Sequence, residues 1–364
     1  MFKTQKTVAL LLSAAAVLSM VALSGCQKNG GSTASTDTTV RPTAADVKKE
    51  GQLVSYGMPD TWINWKGIFA SFTSQYGITH QDTDMSSAEE LAKFKAEKNN
   101  PVADIGDIGI GFAAGARKSK VVQPYKNKYW NDVPSWAKDK DGYWTAEYTG
   151  SIVFLVNKSL VKDVPQSWAD LLKSEYKGMV VIGDMQKHAQ SQSALLAAAM
   201  AYGGNEANIK PGLDYFKKMY KAGNIKDVDD SVSNIQKGEV PICVLWDFNA
   251  LNYRHEIGDD SAYDVVVPSD GTVTSAYVSV INAYAPHPQA AKAFQDYLFS
   301  DQGQTQIAEG YARPIRTNVD MPADVKSKLL PDSDYKSAKL IKNYDTWTKT
   351  SGEIPDLWRN EVLS

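Results

Sequence analysis

The sequence predicts an α/β fold, and three observations carry that expectation. Apolar runs of strand length alternate with amphipathic, helix-period segments along most of the 364 residues. Glycines and acid-rich first turns stand where the helix-period segments need stops and starts. The composition is that of an ordinary globular protein, 43% apolar and 22% charged, which leaves material for a sizeable core.

Taken in order, "QLVSYGM" reads as a strand, and "INWKGIFASFTSQYG" as an amphipathic helix stopped at Gly77. "SSAEELAKFKAEKNN" is a second helix, with Ser86 or Ser87 as its cap and acids in its first turn. "VADIGDIGIG" is a buried strand entering a glycine loop, and "WTAEYTGSIVFLVNK" a long extended stretch. "SWADLLKSEYKG" is expected to be a helix, "MVVIGDM" a strand, and "QSQSALLAAAMAYGG" and "GLDYFKKMYKAG" helices. "VPICVLWDF" is a strand and "YDVVVPSDG" a strand into a turn; "PQAAKAFQDYLFSDQGQTQIAEG" is helical in two pieces.

The N-terminus bears on compartment. Lys3 and Lys6 precede an apolar run from Val8 to Leu23, followed by Ser24, Gly25 and Cys26. A short basic region, a short apolar core and small residues describe a secretory signal peptide over residues 1–25. The run is shorter than the roughly 20 apolar residues of a comfortable membrane span. Leu-Ser-Gly-Cys resembles the bacterial lipobox, which implies cleavage before Cys26 and acyl chains such as palmitate on that cysteine. The protein is then expected on the outer face of the cell membrane, on the periplasmic side or at the cell surface. Residues 26–48 are rich in Gly, Ser, Thr and Asp and read as a flexible tether. Cys243, the other of the two cysteines, reads as a small core residue. A formal charge of −3 without a basic tract argues against nucleic acid as a partner.

Enzyme signatures are missing. There is no G-x-S-x-G elbow, P-loop, H-E-x-x-H or C-x-x-C, and the four histidines do not cluster. A non-enzyme with no cofactor and no metal is expected.

Two stretches carry a family likeness: "VPQSWADLLKSEYKGMVVIGDM", and "PHPQAAKAFQDYLFSDQGQTQIAEGYARPIRTNV". In this order, around an extended stretch ending at Asn157, they resemble the type II extracellular solute-binding proteins of ABC importers. The likeness covers about Gly51 to Val319 and is nearest to the binders of ferric ion, thiamine, polyamines, phosphonates and sugar phosphates. It implies a two-lobed type II periplasmic-binding-protein fold with ligand in a cleft between lobes joined by two crossover segments. Residues 49–147 plus 268–320 would form lobe 1, 148–267 lobe 2, and 321–364 C-terminal helices. The implied partners are a small-molecule ligand and the permease subunits of the importer, with the protein acting as a monomer. A surface structural or adhesive lipoprotein is the rival from another class.

Ligand in open α/β sheets sits beyond the carboxyl ends of strands, which selects the loops. "YGMPDTWINW" offers Tyr56, Asp60 and Trp62, an acid among aromatics suited to a cation. Ser86 and Ser87 open a helix whose N–H groups suit a negative group. Asp107 lies against an apolar strand and needs a partner. In the second half, Lys187, Ser191 and Gln192 surround a helix start, the place where the resemblance implies an anionic or polar ligand group. Trp246, Asp247 and Asn249 follow a strand and pair an acid with an aromatic. Tyr277 lies on a crossover, which the likeness makes a ligand position. The mixture favours an amine-bearing or zwitterionic organic solute, with ferric iron, a phosphonate or a sugar phosphate as alternatives. The ferric binders carry neighbouring tyrosines where this chain has Trp246-Asp247-Phe248.

Overall fold

A computed structural model of the chain describes residues 39–186 and 188–364. The signal peptide, Cys26 and most of the tether lie outside the described residues, as does Lys187. The strands are β1 (Gln52–Tyr56), β2 (Thr79–Thr83), β3 (Ile105–Gly109), β4 (Val122–Gln123), β5 (Thr145–Asn157), β6 (Val180–Val181), β7 (Ile242–Trp246), β8 (Tyr263–Val266), β9 (Thr272–Asn282), β10 (Arg313–Pro314) and β11 (Ala338–Leu340). The helices are α1 (Ala44–Glu50), α2 (Trp65–Tyr76), α3 (Ser87–Ala96), α4 (Ile110–Lys118), α5 (Ala189–Ala201), α6 (Lys210–Ala222), α7 (Val232–Gln236), α8 (Asp247–Ile257), α9 (Pro288–Leu298), α10 (Asp301–Glu309), α11 (Ala323–Lys326) and α12 (Tyr344–Leu357).

The strands run in the order β2-β1-β3-β9-β5-β7-β6, with β8 also paired to β5. Two long strands join the halves of this path. β5 pairs with β9 through Thr145–Ser151, then with β7 and β8 through Ile152–Asn157. β9 in turn pairs with β3 through Tyr277–Ile281. Each of these two strands therefore belongs to one half at one end and meets the other half at the other end. β1 and β3 are parallel, as are β6 and β7, so their carboxyl ends deliver loops toward a common region.

Each half has a core that the sequence periodicity explains. On α2, Trp65, Ile68, Phe69 and Phe72 are spaced on one helical face and are all buried. β7 is buried at every position, and Cys243 is a buried free thiol in a cluster with Val153, Leu155, Val181 and Leu245. The C-terminal segment touches both halves. α12 packs on α4, while Trp358 stacks edge-on against Phe216 and Tyr220 of α6 at 5.5 and 5.8 Å.

Two local expectations are corrected, and one strand had no expectation. "SWADLLKSEYKG" forms two short 3-10 turns instead of an α-helix. The Asn224 amide donates to the Leu171 and Lys173 carbonyls, and the buried Trp168 indole donates to Gly271, so tertiary bonds replace the helical ladder. β2 has the polar sequence THQDT and gave no apolar signal; its pairing with β1 holds it. The tether is shorter at its end than residues 26–48. Thr43 caps α1, Val47 is fully buried, and Arg41 donates to the Lys126 carbonyl at 2.7 Å.

Candidate functional site

The carboxyl ends of β1, β2 and β3 and the starts of α5 and α8 border a cavity of about 500 Å³. That volume is in the range of small-ligand sites. One wall consists of Gly57, Pro59, Trp62, Asp84, Ser86, Ser87, Glu90 and Asp107; the other of His188, Gln190, Asp230, Asn249 and Tyr253, with Tyr277 at the back.

The first wall is built around acids. Glu90 lies one turn before Phe94 on the buried face of α3, and both are fully buried. Gly57 (φ +70°) and Gly106 make room for it. A Cβ on either would stand 2.2 and 2.4 Å from the Glu90 carboxylate oxygens. Asp107 closes β3 at 3% exposure, and Glu147 reaches it from β5 at 0%. Only one of these six carboxyl oxygens, Asp107 Oδ2, meets a donor. It accepts from the Tyr148 hydroxyl at 2.7 Å, which accepts in turn from the Trp62 indole at 2.7 Å. Burial first, then mutual repulsion, moves the Glu90 and Glu147 carboxyls well above their ordinary range; burial does the same for Asp107. Asp82 sits beside them with an upward shift caused first by burial, while Ser55 and the Met58 N–H donate to it at 2.6 and 3.1 Å.

Aromatic rings close the back of the cavity. Tyr148 stacks on Tyr277 at 5.3 Å, and Trp62 meets Tyr277 and Phe248 edge-on at 5.6 and 5.2 Å. The second wall is tied together by Gln190. Its carbonyl accepts from the Trp246 N–H and the Asn249 amide, both at 3.1 Å, and its amide donates to Asp230 at 3.2 Å. Burial also raises the Asp230 pKa. The described lining thus contains Asp84, Glu89, Glu90, Asp107 and Asp230, with His188 but no Lys or Arg. Such a surface attracts a cation and repels a bare anion.

A smaller cavity of about 160 Å³ lies on the other side of Tyr277, between Ile110, Phe112, Gln192, Trp246, Trp347 and Pro355. Among the described residues, no group of three or more His, Cys, Asp or Glu side chains is placed to hold a metal ion.

The structure brings together Trp62, Ser86, Ser87, Asp107, Asn249 and Tyr277 in the large cavity. Ser86 and Ser87 are at the same time structural. Glu89 accepts from the Ser86 N–H and hydroxyl, and the Ser87 hydroxyl accepts from the Gly109 N–H. Gln192 and Trp246 line the smaller cavity, and Ser191 is buried beside it in sequence with its hydroxyl unpartnered. Three expected residues stand elsewhere. The Tyr56 hydroxyl donates to Glu97 at 2.8 Å and its ring stacks on Phe94, so it is a packing residue. Asp60 is exposed in the turn after β1 and is not part of the lining. Asp247 is 2% exposed and saturated: it accepts from the Ser151 and Phe248 N–H groups and from the Tyr335 hydroxyl at 2.6 Å. Glu90, Glu147, Tyr148, Gln190, Asp230 and Tyr253 were not anticipated. An acid one turn from Phe94 on a helix's apolar stripe, and another inside a strand of apolar neighbours, were the signals available for the first two.

Two α/β halves joined through long shared strands, with a polar cavity between loop ends, define a two-lobed ligand-capture protein. The sequence profile of the bacterial extracellular solute-binding proteins matches residues 100–346, and the chain belongs to that family. It is 27% identical to a Sinorhizobium fredii protein named as an ABC transporter periplasmic-binding protein, over 73% of this chain and 74% of that one. It is also 27% identical to the sulfate-binding protein of Escherichia coli over 57% of this chain; the match spans 63% of that protein's length. Its fold is that of the periplasmic binding protein AfuA from Actinobacillus pleuropneumoniae, solved with fructose-6-phosphate. The TM-score is 0.70 at 23% identity, covering 86% of this chain and 99% of the other. No helix among the described residues is long and apolar enough to cross a membrane.

Proposed function

We propose that this protein captures a small amine-bearing or zwitterionic organic solute outside the cytoplasmic membrane and delivers it to the permease of an ABC importer. The observation that carries the reading is the acidic character of the cavity, whose described lining has five carboxyl groups and no Lys or Arg. Relatives named for sulfate or solved with a sugar phosphate hold anions. A lining of this sign disfavours a bare anion and favours a cationic nitrogen, held by Asp107 and Glu90 against the faces of Trp62 and Tyr277. A zwitterion is compatible, because the first N–H groups of α5 suit an anionic end.

The lobes in this reading are 49–147 plus 268–320 and 148–267, with crossovers at β5 and at 265–277. The segment 321–364 straps both. A ligand touching both walls stabilises the closed form by its differential affinity, and closure is what the permease reads. The protein acts as a monomer tethered by lipid on Cys26, without catalysis. Mass spectrometry of the small molecules that co-purify with the native protein, followed by a thermal-shift screen of amines, phosphonates, sugar phosphates and ferric complexes, tests the assignment. Stabilisation by amine-bearing solutes is expected. Stabilisation confined to anions or ferric complexes contradicts it, and mass labelling of Cys26 by acyl chains checks the anchor.

A further inference from the structure

Glu90, Asp107 and Glu147 come from three elements, α3, β3 and β5, and meet beneath the cavity. Three ionised carboxylates in a site excluded from water repel one another strongly. Among the described residues, no cationic group acts on them. The titratable groups that face the cluster are Asp82 on β2, Asp84 just after it, Tyr148 on β5 and Tyr277 on β9, all acids or phenols. Donors are scarce as well: the Tyr148 hydroxyl serves Asp107 Oδ2 and the Asp107 N–H approaches Glu90, but both oxygens of Glu90, both of Glu147 and Oδ1 of Asp107 have no partner at bonding geometry. A proton on one carboxyl removes both difficulties at once. It lowers the charge, and its O–H donates to the neighbouring carboxylate, as carboxyl pairs sharing a site do. Gly57 and Gly106 leave the space that the Glu90 carboxyl occupies, so the fold is shaped around that carboxyl.

Resting on the amine reading of the cleft, we propose that Glu90, Asp107 and Glu147 are a proton-holding cluster that exchanges its proton for the ligand's cationic nitrogen. In the empty protein the carboxyls share a proton. When the ammonium group arrives, that proton leaves to solvent and the carboxylate left behind pairs with the cation, so charge in the cleft is conserved. Glu90 and Asp107 line the cavity, whereas Glu147 does not. Glu147 is a positioning residue that sets the protonation of Asp107 from behind. Capture then depends on pH, tightening as pH rises, until the cluster is ionised in the empty protein too.

The test is calorimetric titration of the full chain with putrescine and with 2-aminoethylphosphonate, in two buffers of different ionisation enthalpy and across a pH series. Heats that differ between buffers, equivalent to release of roughly one proton per amine, are expected, with affinity rising up to about tenfold per pH unit below the plateau. Glu147→Gln should still bind while losing much of the buffer dependence and pH slope. Should that variant fail to fold, Glu90→Gln, which removes a ligand-pairing carboxyl, is expected to bind the amines more weakly and to release less proton on binding. Amine binding with buffer-independent heat and flat pH dependence overturns the exchange while leaving the amine reading intact. Failure of both amines to bind at any pH overturns the amine reading itself, and the exchange with it.

Discussion

Asp247 and Asp107 are both acids at strand ends, both almost fully buried, and they do opposite things. Asp247 accepts from two backbone N–H groups and a tyrosine hydroxyl, and the nearby Arg313 offsets its charge. Asp107 has one donor, Tyr148, and its nearest charged neighbours are acids. Burial with every oxygen satisfied marks a structural joint, here between β5, α8 and the C-terminal segment. Burial with oxygens left open at a cavity marks a place waiting for a partner.

The largest effect that can break this comparison is on stability. Asp247→Ala should destabilise the fold by about 3–5 kcal/mol, because it leaves the Ser151 and Phe248 N–H groups and the Tyr335 hydroxyl without an acceptor, at about 1–3 kcal/mol each. Urea denaturation measures it, and an unchanged midpoint would contradict the structural role. Asp107→Asn should do the reverse. It relieves repulsion in the empty protein, so apparent melting temperature holds or rises, while amine affinity falls by about 1.5–3 kcal/mol through loss of a charged hydrogen bond. Calorimetry beside a melt separates the two, and equal amine affinity in wild type and variant would remove Asp107 from the site. The pH dependence of the empty protein has a defined sign. The folded pKa values of Glu90, Asp107 and Glu147 lie above their ordinary values of 4.5, 3.8 and 4.5, so the folded state holds more protons than the unfolded one in between. Their contribution to stability is present below those ordinary values and is lost as pH rises through the raised ones. Glu147→Gln should flatten that decline in a denaturation series. Tyr148→Phe, which cuts the link from Trp62 to Asp107, should cost about 0.5–1.5 kcal/mol. Ser86→Ala comes last. Loss of a capping box costs about 1 kcal/mol of stability and should leave amine affinity unchanged.

The halves of the comparison also differ in how readable they were. Strand β7 and helix α2 announced themselves through runs and spacing, and the loops after β1, β2 and β3 followed from strand ends. Asp107 is expected from an acid set against an apolar strand, and it stands in the cavity lining. Asp247 satisfied the same rule and is a joint, because its donors come from Ser151 and Tyr335, far away in sequence. Glu90 and Glu147 were hidden because pairing across α3, β3 and β5 is a tertiary fact, and single acids in helices and strands are common. The 3-10 turns at Asp170–Tyr176 were misread because Asn224 supplies their bonds from another element.

The most direct test of the central claim is the identity of the solute held by the native protein, read by mass spectrometry after gentle purification. A small molecule with at least one cationic nitrogen is expected. A bound solute with no cationic group, such as sulfate or a sugar phosphate, would contradict it.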